Sequence, residues 1–141
     1  MATPAWRVTG IHHVAFAHAD TGVPEQLAAT LGLPCVDTEV APGFVERMLA
    51  AGDDRLQLLE ATGDGVIQRF VERRGAALHH IAFRVDDLDA ALTALHDRGT
   101  PLVDERARAG GGGTRIAFLH PSACAGLLVE LVDDAPGEAP R

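Results

Sequence analysis

Residues 10–20 read GIHHVAFAHAD, and residues 77–87 read ALHHIAFRVDD. An internal repeat constrains a chain more tightly than its composition does, because each copy must fold the same way and bury the same face. IHHVAF (11–16) and LHHIAF (78–83) are short runs of the kind that form strands. Each leads into a helix pattern, TGVPEQLAATLG (21–32) and DLDAALTALHDRG (87–99). In the second, Leu88, Leu92 and Leu95 fall on one face, with Asp87 as N-cap and Gly99 as the stop. Both helices precede strand-like runs, LPCVDTEV (33–40) and TPLVDERA (100–107). Then GFVERMLAAGDDRLQLLEA (43–61) reads as two strands joined at AAGDDR, and GTRIAFLHPSACAGLLVELVDD (113–134) as two joined at HPSACAG. Strand, helix and three strands, written twice, predict an α+β chain of two tandem βαβββ modules, 9–62 and 77–134. Residues 63–76 are the linker helix (GVIQRFVERRG), all within a single domain of residues 1–141. The tail after Asp134, APGEAPR, is expected to be disordered.

With 141 residues and 47% hydrophobic content, the chain can bury a core across both modules. Its net charge is -8, and every basic residue outside the histidines is Arg. Such a balance argues against nonspecific nucleic-acid or membrane-surface binding, while leaving room for an anionic ligand met by a few placed arginines. Cys35 and Cys124 lack zinc-type spacing and are expected to be reduced and buried. MATPAWRVTG has no charged-then-apolar leader pattern, and no stretch approaches a membrane span, so a soluble cytoplasmic protein is expected.

Side chains alternate faces along a strand. His13 shares a face with Ile11 and Ala15, and His80 with Leu78 and Ala82. Gln57 in RLQLLE occupies the place that Glu130 occupies in LVELV. First and last strands of both modules therefore offer one polar residue each: His13, Gln57, His80 and Glu130. If the modules pack about a pseudo-twofold, all four converge. Two imidazole nitrogens and two oxygens suit a divalent first-row ion such as Co, Mn, Ni or Zn, and octahedral binding leaves two positions for water or substrate. A buried Glu130 would be costly without a positive partner. His12 and His79 point to the opposite face and read as structural. Glu46, in GFVERML, shares a face with Phe44 and Met48, but neither face of that strand is polar throughout. Parity alone does not say whether Glu46 points inward or lies exposed.

The combination FVERRGAALHHIAFRVDDLDAALTALHDRG, GGGTRIAFLHP and GLLVEL resembles the methylmalonyl-CoA epimerase family of the vicinal oxygen chelate superfamily, over roughly residues 10–133. The resemblance implies a cupped mixed sheet of paired βαβββ modules around a metal. It places the metal ligands at His13, Gln57, His80 and Glu130, the same four that the repeat selects. It also assigns a second acid/base, in a G-x-V-E context, to Glu46. The first helix departs from the family in lacking an aromatic pair before its Leu-Gly end. Ser122 stands where a Lys often follows FLHP, and Arg73, Arg74, Arg106, Arg108 and Arg115 could take that lysine's anion-binding role. The run AGGGG (109–113) is expected to be a connecting loop beside the pocket.

This resemblance implies an isomerase that removes the acidic α-hydrogen of an acyl-CoA such as methylmalonyl-CoA, with Glu46 and Glu130 as the acid/base pair. The cofactor is a divalent ion, cobalt first, the partner an acyl-CoA substrate, and the assembly a homodimer. Two alternatives use the same scaffold. One is a glyoxalase I-type lyase acting on a glutathione hemithioacetal, which generally has a carboxylate where Gln57 stands. The other is a non-catalytic small-molecule-binding relative, which lacks the metal. Extradiol dioxygenases bind Fe(II) through two His and one Glu, and a Gln ligand argues against that chemistry.

Overall fold

The computed structural model describes residues 5–134; the tail expected to be disordered lies outside them. Strands are β1 (Val8–His18), β2 (Cys35–Ala41), β3 (Phe44–Ala51), β4 (Asp54–Ala61), β5 (Ala77–Val85), β6 (Arg108–Ala109), β7 (Arg115–Leu119) and β8 (Val129–Asp133). Helices are α1 (Val23–Leu31), α2 (Val66–Arg74) and α3 (Leu88–Asp97), and 3-10 turns occupy Gly111–Gly113 and Pro121–Cys124. The strands form one mixed eight-stranded sheet in the order β2-β3-β4-β1-β5-β8-β7-β6. By contacts the chain divides into two compact units, residues 13–79 and residues 1–12 with 80–141, and β1 runs through both.

In the unit of residues 13–79, β1 lies parallel to β4, with Ala15 opposite Gln57 and Ala17 opposite Leu59. Strand β3 is antiparallel to β4 on one side and to β2 on the other. Ala15, Ala17 and Leu59 pack beneath Ile67 and Phe70 of α2. Small residues on β1 let the α2 aromatic approach the sheet closely. Pro24 sits in the first turn of α1, and Gly32 ends the helix at φ 68, a left-handed conformation in which its N–H donates to the Ala28 carbonyl. No residue of α1 is buried.

The other unit carries the larger core. Leu88, Ala91, Leu92 and Leu95 of α3 are buried against Val85, Ala117, Leu119, Val129 and Leu131. The expected cap is present: the Asp87 side chain accepts from the Ala90 N–H at 3.0 Å. Strand β5 is parallel to β8, and β8 is antiparallel to β7.

Two expectations are corrected. TPLVDERA is not a strand. Beyond a single bridge between Leu102 and Leu119, it turns around Phe118. That residue's carbonyl accepts from the Val103 and Asp104 N–H groups, and its N–H donates to Asp104 Oδ2 at 2.9 Å. Pro101 has no N–H to give a ladder, and the Asp104 carboxylate replaces a backbone acceptor. The second strand of that module shrinks to the two residues of β6. Nor are the cysteines buried: both are free, Cys35 exposed and Cys124 partly so. Cys35 stands on β2, the first strand of the sheet order, where α1 supplies no buried cover.

Candidate functional site

In the unit containing residues 80–134, Ala82 pairs with Glu130 and Phe118 with Glu130 across neighbouring strands. His80, two residues before Ala82, lies on the same face. Both His80 and Glu130 are buried, at 3% and 5% exposure, and His80 Nε2 stands 4.0 Å from Glu130 Oε1. The Phe118 ring meets the His80 ring edge-on, with centroids 5.2 Å apart. Ala82, Ile116 and Val132 complete an apolar surround. An imidazole and a carboxylate held together in such surroundings are a donor pair of the type that binds divalent first-row ions.

In the unit of residues 13–79, His13 and Gln57 are buried at 4% and 5% exposure. Gln57 pairs with Ala15 and with Met48, which puts it on one face with Glu46, Phe44 and Met48. The Gln57 amide donates to Glu46 Oε1 at 2.9 Å. Register puts Glu46 on the Gln57 face, where it is half-buried. Burial pushes the Glu46 carboxyl above its ordinary range. Glu39, directly opposite on β2, adds to the rise, the Gln57 hydrogen bond opposes it, and Asp37 adds further. A carboxyl with a raised pKa exchanges a proton more readily near neutrality.

His79 lies on the other face from His80, its ring 4.8 Å from that of Phe70. Burial and the Arg74 charge hold it below the ordinary imidazole range. His12 places Nε2 3.5 Å from Asp134 Oδ2, and Arg84 Nε donates to the same carboxylate at 3.1 Å. Arg74 lies over the Phe70 ring and Arg115 pairs with Asp89 at 2.7 Å. Arg73 sits in the last turn of α2 and Arg106 is exposed. Ser122 Oγ is 2.8 Å from His120 Nδ1.

Sequence reading missed a second polar group, on the opposite face of the β3–β4 ladder. Arg47 Nη1 donates to Glu60 Oε1 at 2.8 Å, and Glu60 pairs with His18 on β1. His18 is fully buried; its Nδ1 lies 3.0 Å from the Asp20 carbonyl, and its Nε2 has no hydrogen-bond partner. The available signal was the alternation itself: Arg47 and Glu60 are each flanked by residues of the Gln57 face.

Residues 43–118 match the family described as the Glyoxalase/Bleomycin resistance protein/Dioxygenase superfamily. The chain is 32% identical over 139 residues to the mitochondrial methylmalonyl-CoA epimerase of Bos taurus, covering 92% of this chain and 77% of that one. The chain belongs to the methylmalonyl-CoA epimerase family. Solved epimerases superpose along nearly its whole length. That from Mycobacterium tuberculosis has 38% identity and a TM-score of 0.85, over 96% of this chain and 93% of its own. A methylmalonyl-CoA epimerase in complex with methylmalonyl-CoA and NH4+ has 37% identity and a TM-score of 0.86, over 95% and 100%. An uncharacterised protein of Bacillus subtilis (strain 168) is 42% identical over 84 residues, 59% of this chain and 60% of that one. The epimerase family is a family of isomerases, and the eight-stranded mixed sheet with three helices is its glyoxalase-type fold. Among the described residues no helix is long and apolar enough to cross a membrane.

Proposed function

We propose that this epimerase-family chain interconverts 2R- and 2S-methylmalonyl-CoA, or a close 2-substituted malonyl-CoA, through removal and return of the α-proton. What carries the reading is the Glu46–Gln57 pair: a half-buried carboxyl with a raised pKa, oriented by a buried amide, in a chain of this family. His13, Gln57, His80 and Glu130 would hold one divalent ion. His13, His80 and Glu130 are each buried and can each give one ligand atom, and the nitrogen-and-oxygen donor set fits cobalt, with Mn, Ni or Zn as substitutes. When bound, such an ion acts as a Lewis acid that stabilises negative charge growing on a thioester oxygen.

The chain's own residues move the proton. Glu46 Oε1, fixed by the Gln57 amide, takes the α-hydrogen from one face of the substrate. Glu130 serves the other face while remaining a ligand. A proton acceptor and a donor on opposite faces are what inversion at one carbon requires. Phe44 and Met48, on the Glu46 face, exclude water from the reacting carbon. The module boundaries 9–62 and 77–134, a cytoplasmic location and a homodimeric state belong to the same proposal.

Proton NMR of a single epimer of methylmalonyl-CoA in D2O tests it. Metal-loaded protein should erase the α-proton signal and produce both epimers, and chelated protein should not. Glu46→Gln should keep metal affinity and slow exchange about 100- to 10,000-fold, the usual range for a general base. Exchange at the wild-type rate in that variant would remove Glu46 from the mechanism. Turnover of a glutathione hemithioacetal without exchange on the acyl-CoA would move the chain to glyoxalase I-type chemistry.

A further inference from the structure

We infer that Arg108 is the residue that receives an anionic oxygen group of the acyl-CoA, an inference that rests on the proposed epimerase reading. Three observations within one unit single it out among the arginines. Arg108 pairs with Ile116 across β6 and β7, which places it on the face that also carries Phe118, Val132 and Glu130. Its guanidinium carbon stands 5.7 Å from the centroid of the Phe118 ring, and that same ring meets the His80 imidazole edge-on at 5.2 Å. Phe118 is therefore a shared wall: His80 at its edge, Arg108 over its face.

The third observation is how the guanidinium is held. Asp104 Oδ1 accepts from Arg108 Nε at 3.2 Å, while Asp104 Oδ2 accepts from the Phe118 N–H at 2.9 Å. The carboxylate is itself anchored on the backbone of β7, so it holds one edge of the guanidinium, and the Phe118 ring lies beneath it. Nη1 and Nη2 remain on the outer edge, as a fork suited to two oxygens of a carboxylate or phosphate. Arg115 is engaged bidentately by Asp89, at 2.7 and 3.2 Å, so its fork is already spent. Arg74 lies over Phe70, in the other unit. The irregular 100–107 segment thus has a use: the turn that prevents a full strand is what brings Asp104 under Arg108.

The anion has two sources in one substrate, the malonyl carboxylate and the phosphates of CoA, and the experiment separates them. Wild type, Arg108→Met and Arg108→Lys are compared, first for unchanged thermal midpoint and circular dichroism. Dissociation constants are then measured by calorimetry for methylmalonyl-CoA and for methylmalonyl-pantetheine, which keeps the carboxylate and lacks the CoA phosphates. Steady-state epimerisation is followed in parallel. Arg108→Met should weaken methylmalonyl-CoA binding about tenfold or more, as expected for a charge-assisted hydrogen-bonded pair, with kcat changed far less than KM and with partial recovery in Arg108→Lys. A penalty of the same size on the pantetheine thioester assigns Arg108 to the malonyl carboxylate; loss of the penalty assigns it to a phosphate. Equal dissociation constants for wild type and Arg108→Met, or no binding by either, overturns the inference. Wild type that binds but does not epimerise would instead overturn the functional reading and leave the Arg108 comparison standing.

Discussion

A histidine with no surface exposure is a weak point in acid. His18 is fully buried, and burial is the largest influence holding its imidazole below the ordinary value of 6.5. The Asp20 carbonyl, Glu60 and the Asp20 carboxylate favour the cation, and Arg47 opposes it. In the unfolded chain the ring protonates near its ordinary pKa, whereas the folded chain resists until a lower pH. Between those two values the unfolded state binds more protons, so stability falls as pH falls below 6.5. Urea midpoints for wild type and His18→Gln should therefore draw together as pH drops from 7 to 5. A gap that stays constant would remove His18 from the acid response. The burial of His13, Gln57, His80 and Glu130 was legible in sequence because a repeat marks equivalent positions. His18 was not, because nothing in GIHHVAFAHAD says which end of the strand a neighbouring Glu60–Arg47 pair will close over.

At the level of elements, the β3–β4 ladder carries two polar diagonals on opposite faces, Glu46 with Gln57 and Arg47 with Glu60. Side-chain period is two, so a slip of one residue would exchange the faces and bury the wrong pair. Arg47→Met leaves Glu60, only 6% exposed, without that cation. The expected loss is roughly 2–4 kcal/mol, read by urea unfolding, somewhat below a fully buried pair because the Arg47 side chain is 26% exposed. Helix α3 tests a simpler device: Asp87→Ala removes the acceptor for the Ala90 N–H and should cost about 1 kcal/mol by the same assay. Helices and most strands could be read from sequence because caps, leucine spacing and alternation are local. The 100–107 segment could not, because its conformation depends on Asp104 finding the Phe118 N–H, a partner 14 positions away. Cys35 was misjudged for a related reason: an apolar-looking run says nothing about whether a helix will cover it.

For the molecule as a whole, a shared ion would bind the native chain and not the unfolded one, so metal content should appear as stability. Cobalt at about 100 times its dissociation constant would add about 2.7 kcal/mol. Thermal midpoints of wild type should fall on chelation and recover on cobalt addition, while His80→Ala should show little change in either direction. A midpoint indifferent to chelator in wild type would count against a resident ion.

The two ends of the strand order also decide how the protein behaves in a crowd of its own copies. One end, β6, is two residues long, too short to recruit a foreign strand. The other, β2, is a seven-residue edge with Val36 and Val40 largely exposed, a surface prone to templated fibril growth. Asp37 and Glu39 interrupt it with like charges that a stacked second copy would have to confront. The acidic side chains that raise the Glu46 pKa are also this edge's gatekeepers against aggregation. Replacing both with Thr would lower the protein's colloidal stability.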